Sequence, residues 1–201
     1  SVFPGLKHTY WIVALNAWGA GPPAVRLNVT PPTPPLPEIP APSYLLAQVS
    51  DRTVVLTWDP MGGLRIDGFR LLRSDGGDFA LLADLTASSF VDTNLTNGVE
   101  YTYQVRCFIG GSEGVNRTVN ATPGTVPGAP VLGTQNGADR VFLTWEPPSN
   151  GGSALLGYRV YRTPGTGNMI LLAMVTGTGY TDRAVMLGVN YTYSVTALNA
   201  F

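Results

Sequence analysis

The chain is poor in the residues that most protein chemistry needs. Its 201 residues include one cysteine, Cys107, and one histidine, His8. A lone cysteine excludes an internal disulfide framework and any multi-cysteine metal site. A lone histidine excludes His-rich metal binding and leaves little basis for a His-centred catalytic constellation. Charge is scarce too: 12% of residues are charged, against about 25% in an ordinary globular chain. The formal net charge is −1, and Lys7 is the one lysine. A nucleic-acid binder needs a basic face to displace counterions from phosphates, and a polybasic membrane-surface protein needs clustered cations; neither is written here. No apolar run approaches the roughly 18 residues that a membrane helix requires, and no segment offers a long amphipathic helix.

What is present is apolar, turn-rich and repetitive. Hydrophobic residues make up 44% of the chain, and 24 glycines and 17 prolines punctuate it. That is enough apolar material for a folded core and too much for a disordered chain. Two long segments match. The stretch RTVVLTWDPMGGLRIDGFRLLR from Arg52 corresponds to DRVFLTWEPPSNGGSALLGYRVYR from Asp139. FALLADLTASSFVD from Phe79 corresponds to MILLAMVTGTGYTD from Met169, and LTNGVEYTYQV from Leu95 to VMLGVNYTYSV from Val185. Trp58 and Trp145 are 87 residues apart, and Tyr101 and Tyr191 are 90 apart. A period of that length with small loop insertions denotes two copies of one domain. A partial third copy opens the chain, where PGLKHTYWIVALNAW from Pro4 matches LGVNYTYSVTALNAF from Leu187. The expected organisation is the C-terminal part of a domain over 1–30, a Pro-rich linker over 31–43, a complete domain over 44–123, and a domain over 124–201 without its last strand. The simplest reading is a window from a longer tandem array. The first linker, with seven prolines between Pro31 and Pro42, favours an extended polyproline II spacer. The second, TPGTVPGAP from Thr122, is shorter and should hold its neighbours closer.

Within each copy, apolar and polar residues alternate with period two, and β-branched and aromatic residues are common. Val54, Leu56 and Trp58 fall on one face of a strand, with Val55 and Thr57 on the other. Phe69 and Leu71 continue the inner set. Tyr101, Tyr103, Val105 and Cys107 line one face of a late strand, and Val115, Val119 and Ala121 face in from the last. Short strands separated by turn signals predict an all-β, immunoglobulin-like antiparallel sandwich.

The motifs LTWDP and LTWEPPSNGGSALLGYRVYR, with LTNGVEYTYQV and VMLGVNYTYSV, make each copy resemble a fibronectin type III domain. The resemblance is strongest to the tandem modules of prokaryotic surface and secreted proteins. It implies that Trp58 and Trp145 are core tryptophans and that Tyr101 and Tyr191 are corner tyrosines, each phenol bonded to nearby backbone. In the opening fragment His8 stands where the corner tyrosine belongs.

Candidate chemistry is thin. Asp67, Asp75, Asp78 and Asp92 lie in Asp-Gly and Asp-x-Asn contexts that read as turns before they read as active sites. PGTGN at Pro164 lacks the Lys-Ser/Thr of a phosphate loop. Cys107 shares an inward face and reads as a buried small hydrophobe; His8 reads as packed against the sheet. No cofactor or metal is implied. The surface carries more information. Asn-x-Thr acceptors for N-linked glycans occur at Asn28, Asn94, Asn116, Asn120 and Asn190, four on the outward parity of strands and Asn94 in a turn. Along a strand from Thr9 to Leu15, the outward row of Trp11, Val13 and Leu15 is apolar where the other copies are mostly polar, which marks a contact surface. The last copy stops before its final strand, so a neighbour's strand could complete the edge beside Tyr191–Asn199 by β-augmentation. The PxxP spacings of the linker carry no Arg or Lys to orient an SH3-like groove, and the loop from Ile109 to Gly114 has no Arg-Gly-Asp. The sequence therefore reads as a non-enzymatic extracellular or cell-surface protein, a tandem β-sandwich stalk, filament subunit or adhesive element. It would act through self-association or a surface protein partner, without nucleic acid and without membrane insertion. The competing readings are accessory modules of a secreted carbohydrate-active enzyme and a receptor-like binding module.

Overall fold

The computed structural model describes residues 4–22, 27–32 and 38–201. Among them every regular element is a β-strand. The chain divides into two compact units, residues 1–38 and 39–201. Residues 33–37 of the expected proline spacer lie outside the described residues.

The first unit holds four short strands: β1 (His8–Tyr10), β2 (Leu15–Asn16), β3 (Gly19–Ala20) and β4 (Leu27–Val29). β1 pairs antiparallel with β4, and β2 with β3. The single strand expected from Thr9 to Leu15 is thus two pieces. Residues 23–26 lie outside the described ones.

The second unit contains the two long copies. In the first copy, β5 (Leu45–Ser50), β6 (Thr53–Trp58) and β9 (Ser89–Thr93) form one sheet in the order β5-β6-β9. β7 (Gly68–Ser74), β8 (Ala80–Leu85), β10 (Tyr101–Ile109), β11 (Ser112–Glu113) and β12 (Arg117–Ala121) form the other, with β10 between β7 and the strands that follow it. The second copy repeats the plan. β13 (Val131–Asn136), β14 (Val141–Glu146) and β17 (Gly179–Asp182) make one sheet; β16 (Ile170–Val175), β15 (Gly157–Pro164) and β18 (Tyr191–Leu198) make the other. All pairings are antiparallel. The same irregularity recurs in both copies, between Leu71 and Leu72 and between Val160 and Tyr161. A bulge kept at equivalent positions bends the paired strands alike and belongs to the design of the domain.

The period-two pattern explains the packing. Side chains alternate across a strand, so β10 buries Tyr101, Tyr103, Val105 and Cys107 while Thr102, Gln104 and Arg106 stay on the outer side. β6 contributes Val54, Leu56 and Trp58, and β7 contributes Phe69 and Leu71 to the same core. Trp58 meets Phe69 edge-on at 5.7 Å between ring centres, and Trp145 meets Tyr158 at 5.3 Å. Edge-to-face contact suits the positive rim and negative face of aromatic rings. The second core is smaller: Leu143, Trp145, Tyr158, Val160 and Val195 are buried. On the last strand of the first copy the pattern is shorter than expected. β12 begins at Arg117; Val115 precedes it, off the alternating pattern of the strand, and is exposed, with its amide donating to the Ile39 carbonyl at 3.0 Å.

Because the second core has few buried residues, it depends most on its tryptophan. Trp145→Ala should cost about 3–5 kcal/mol through lost burial and a cavity. Urea denaturation followed at a probe in residues 131–198 should show that transition displaced while the one for residues 45–121 stays in place. An unshifted transition would remove Trp145 from the core.

Candidate functional site

The few charges are organised, and two clusters of them are copies of each other. In the first copy, Arg73 on β7 reaches across to Asp92 on β9, with Nη1 at 3.1 and 2.9 Å from the two carboxylate oxygens. The Tyr103 hydroxyl donates to the same carboxylate at 2.8 Å, and the guanidinium lies over the Tyr101 ring at 5.3 Å. In the second copy Arg162, Asp182, Tyr193 and Tyr191 repeat the arrangement. Arg162 Nη1 is 2.8 Å from Asp182, the Tyr193 hydroxyl 2.9 Å, and Arg162 stands over Tyr191 at 4.9 Å. The carboxylate comes from one sheet, and the arginine and tyrosine from the other, so each cluster ties the sheets together. Asp92 was expected in a turn. It lies on β9 and is buried, because a buried carboxylate is tolerable once arginine and tyrosine satisfy it.

The electrostatics follow from the geometry. Burial works to raise the Asp182 carboxyl, but the Ala184 amide, the Tyr193 hydroxyl and Arg162 outweigh it and hold it below the ordinary range. Tyr193 is pushed up to about 12 by burial and by donating to Asp182. Tyr103 moves the same way for the same reasons. These tyrosines stay protonated and act as donors. Burial also pushes the Cys107 thiol up, so it is a poor nucleophile. Asp75 and Asp78 sit in the exposed bend between β7 and β8. Asp67 accepts from the Gly110 amide at 2.6 Å and pins the β10–β11 turn.

A second cluster joins the two copies. Three glycines and an asparagine bring the loops around Asn97 and Asn150 together over the linker. The Gly98 amide donates to the Pro123 carbonyl at 2.9 Å, and the Thr125 amide to the Gly151 carbonyl at 2.9 Å. Asn199 donates through its side-chain amide to both Thr125 and Asn150 carbonyls, each at 2.8 Å. Gly98 and Gly152 touch along their backbones: a Cβ on Gly152 would lie 2.6 Å from the Gly98 nitrogen. Both have positive φ, +83° and +96°, which side chains disfavour. The Phe201 ring covers Gly124 so closely that a Cβ there would fall 2.1 Å from it. Pro123 is fully buried.

The remaining sequence-derived residues are placed as follows. Trp58 and Trp145 are buried in their cores. The Tyr101 hydroxyl accepts from the Thr96 amide and the Tyr191 hydroxyl from the Met186 amide, each at 3.0 Å. His8 is half-buried and its ring is tilted against Tyr10. All five glycan-acceptor asparagines are exposed. Asn28 and Asn120 lie on strands, Asn116 and Asn190 just before strands, and Asn94 in a loop with φ of 60°. Trp11 and Leu15 are exposed and Val13 is half-buried, so the three do not form one even outward row. Sequence reasoning missed the Arg–Asp–Tyr clusters. The signal was available: Arg73/Arg162, Asp92/Asp182 and Tyr103/Tyr193 occupy matching places in the repeat.

Each copy sets a β5-β6-β9-type sheet against a sheet centred on a long strand, with a tryptophan from the second strand in the core and a tyrosine bonded across the corner. The two copies are tandem antiparallel β-sandwich domains, the fold that the resemblance to fibronectin type III domains implies. No protein-family model matches the chain. It is 32% identical over 123 residues to exoglucanase B of Cellulomonas fimi, covering 56% of this chain and 11% of that protein. It is 32% identical over 143 residues to endoglucanase B of Cellulomonas fimi, covering 65% and 14%. A Kelch domain-containing protein of Saccharolobus solfataricus is 28% identical over 171 residues, covering 83% and 22%. The chain therefore spans a fifth or less of the first two relatives and little more of the third. Among solved structures, a two-domain fibronectin type III segment of chicken tenascin matches at TM-score 0.44 and 21% identity, covering 80% of this chain and 92% of that one.

The depressed Asp182 fixes a pH dependence. Its folded value lies below the unfolded one, near 3.9, so its charged form adds stability that is complete above that value and is lost as pH falls through the folded one. At pH 7, Asp182→Ala should destabilise the second copy by about 1–3 kcal/mol, because the half-buried Arg162 and the Tyr193 hydroxyl lose the acceptor they share. The difference from the parent should shrink as the pH is taken well below the unfolded value. Equal penalties at neutral and strongly acid pH, measured by urea denaturation, would show that the charge is irrelevant.

Proposed function

We propose that this chain is a non-catalytic spacer and contact element of a larger extracellular or cell-surface protein, acting through protein–protein contacts. The observation that carries the reading is the joint. Two sandwiches are connected by a short linker whose backbone is bonded on both sides, and the glycines at the contact leave no room for side chains. Such a joint holds two domains as one stiff segment, which suits a stalk or filament subunit better than a flexible tether. Exposed Asn-x-Thr acceptors, with Asn28 and Asn120 on strands, support an extracellular setting, where N-linked glycans would shield such strands from unwanted pairing. Among the described residues no helix is long and apolar enough to cross a membrane.

A second reading is favoured by one specific observation, the likeness to short stretches of two Cellulomonas fimi glucanases. Under it the pair would be an accessory spacer within a secreted polysaccharide-degrading enzyme. A glycoside hydrolase domain in the same open reading frame would decide for it.

The stiff-joint reading is tested by residual dipolar couplings on residues 39–201. One alignment tensor should describe both domains. Gly152→Val should split it in two while each domain keeps its own melting transition. Two tensors in the unaltered protein would remove the basis of the proposal.

A further inference from the structure

The two copies of the domain treat equivalent edge strands in opposite ways. In each, the strand that follows the bulge lies at the end of its sheet: β8 beside β7, and β16 beside β15. An edge strand presents unpaired backbone donors and acceptors, and natural proteins usually guard it with charge. β8 is guarded. Asp84 stands opposite Arg70 in register and receives two bonds from it, at 2.9 and 2.8 Å. Arg70 also pairs with Glu113, and Asp78 precedes the strand. In the second copy the residue opposite Arg159 is Met174, and Asn168 takes the place of Asp78. From Met169 to Val175 the chain reads MILLAMV, seven consecutive apolar residues without charge, proline or glycine. Met169, Ile170, Leu171 and Met174 are exposed. Loss of the guard and gain of the apolar row occur together on one strand.

We propose that β16 is a self-association edge, at which the β16 of a second copy of this chain pairs antiparallel and joins the two three-stranded sheets into one. Neutrality is what selects a second copy as the occupant. Pairing about a two-fold axis brings a strand against itself, so a charge near the axis meets its own like charge. A partner recognised by opposite charge finds none on β16. The nearest cation, Arg159, is one strand inward. Three strand spacings would separate the two copies of it, about 14 Å, which is beyond the screening length of roughly 8 Å at physiological salt. Hence Arg159 does not oppose the pairing. The other edge of the same sheet is less suited: β18 turns Thr192, Ser194 and Thr196 outward. The unpaired run also has the composition from which aggregating strands are made, so a specific partner strand would cover a hazard as well as form a contact. This inference goes beyond the spacer reading and stands without it.

The test is sedimentation velocity of the whole chain from about 10 µM to about 1 mM, with hydrogen exchange recorded at both ends of the range. The chain should pass from monomer to dimer, and the amides that gain protection should be confined to residues 169–176. Met174→Lys and, separately, Leu171→Lys should each raise the dissociation constant at least about tenfold with the melting temperature preserved. Leu81→Lys on β8, an equally exposed site on the guarded edge, should leave association unchanged. Three results would overturn the proposal: a monomer throughout, a dimer that survives both substitutions on β16, or protection that rises elsewhere. In the last case, protection along β18 or around Trp11 would move the contact to that surface.

Discussion

Two sheets of short strands stay together only if one face of each leaves the water, and here that requirement falls on a narrow set of side chains. Trp58 and Trp145 each come from the second strand of their copy and meet an aromatic ring on the facing sheet, Phe69 and Tyr158 respectively. Everything else about the domains follows from keeping those contacts dry. Strand register must put Leu56 and Val54 on the same side as the tryptophan, since a slip of one residue would turn the whole set outward. The bulges must bend the paired strands so that the sheet can close over the core. The two copies differ in how much they bury: thirteen residues form the first cluster and five the second. The second copy is therefore the one in which single contacts matter most.

A sequence with so few charges can place each of them, and that placement is the second constraint. The Asp–Arg–Tyr clusters are ionic contacts inside a largely apolar sandwich, each joining one sheet to the other. Replacing such a pair with packed hydrophobics can be neutral or stabilising, so its repetition in both copies calls for another reason. Direction is one: hydrogen bonds from Tyr103 and Tyr193 fix which strand faces which, while apolar contact alone tolerates sliding. The arginine adds a further link by lying over the corner tyrosine, so the corner, the buried acid and the second sheet are held as a unit.

Much of this was legible in the sequence, and the parts that were not share a cause. The repeat, the inward faces of the strands at Val54, Phe69 and Tyr103, and the fold class could be read because period-two alternation is a local signal. Asp92 was misplaced because its neighbours, Thr93 and Asn94, are turn residues, and local chemistry outvoted the alignment with Asp182. Of the joint, only the short linker from Thr122 that should hold its neighbours closer could be read. Gly98 and Gly152 look like ordinary turn glycines until the fold sets their backbones in contact, a long-range fact that no window of sequence contains. The outward row at Trp11, Val13 and Leu15 was drawn on the assumption of one continuous strand, and it loses its regularity where β1 stops at Tyr10.

The joint and the bare edge act in different directions, and their combination shapes what the chain can build. A fixed joint transmits the orientation of one sandwich to the next, so contacts made at one copy position the other. An edge contact at the second copy is lateral, across the run of the sheet and not along the chain. Stiff segments that touch side by side at one copy in two give ordered pairs; the same contact on flexibly linked domains would give only tangled association, because each pairing would lose the alignment of its neighbour. The guard on β8 then has a positive role. With β16 pairing as proposed, the Asp84–Arg70 guard would keep the equivalent edge of the first copy out of that contact, and a single such site with two-fold symmetry closes on itself where two would propagate without limit.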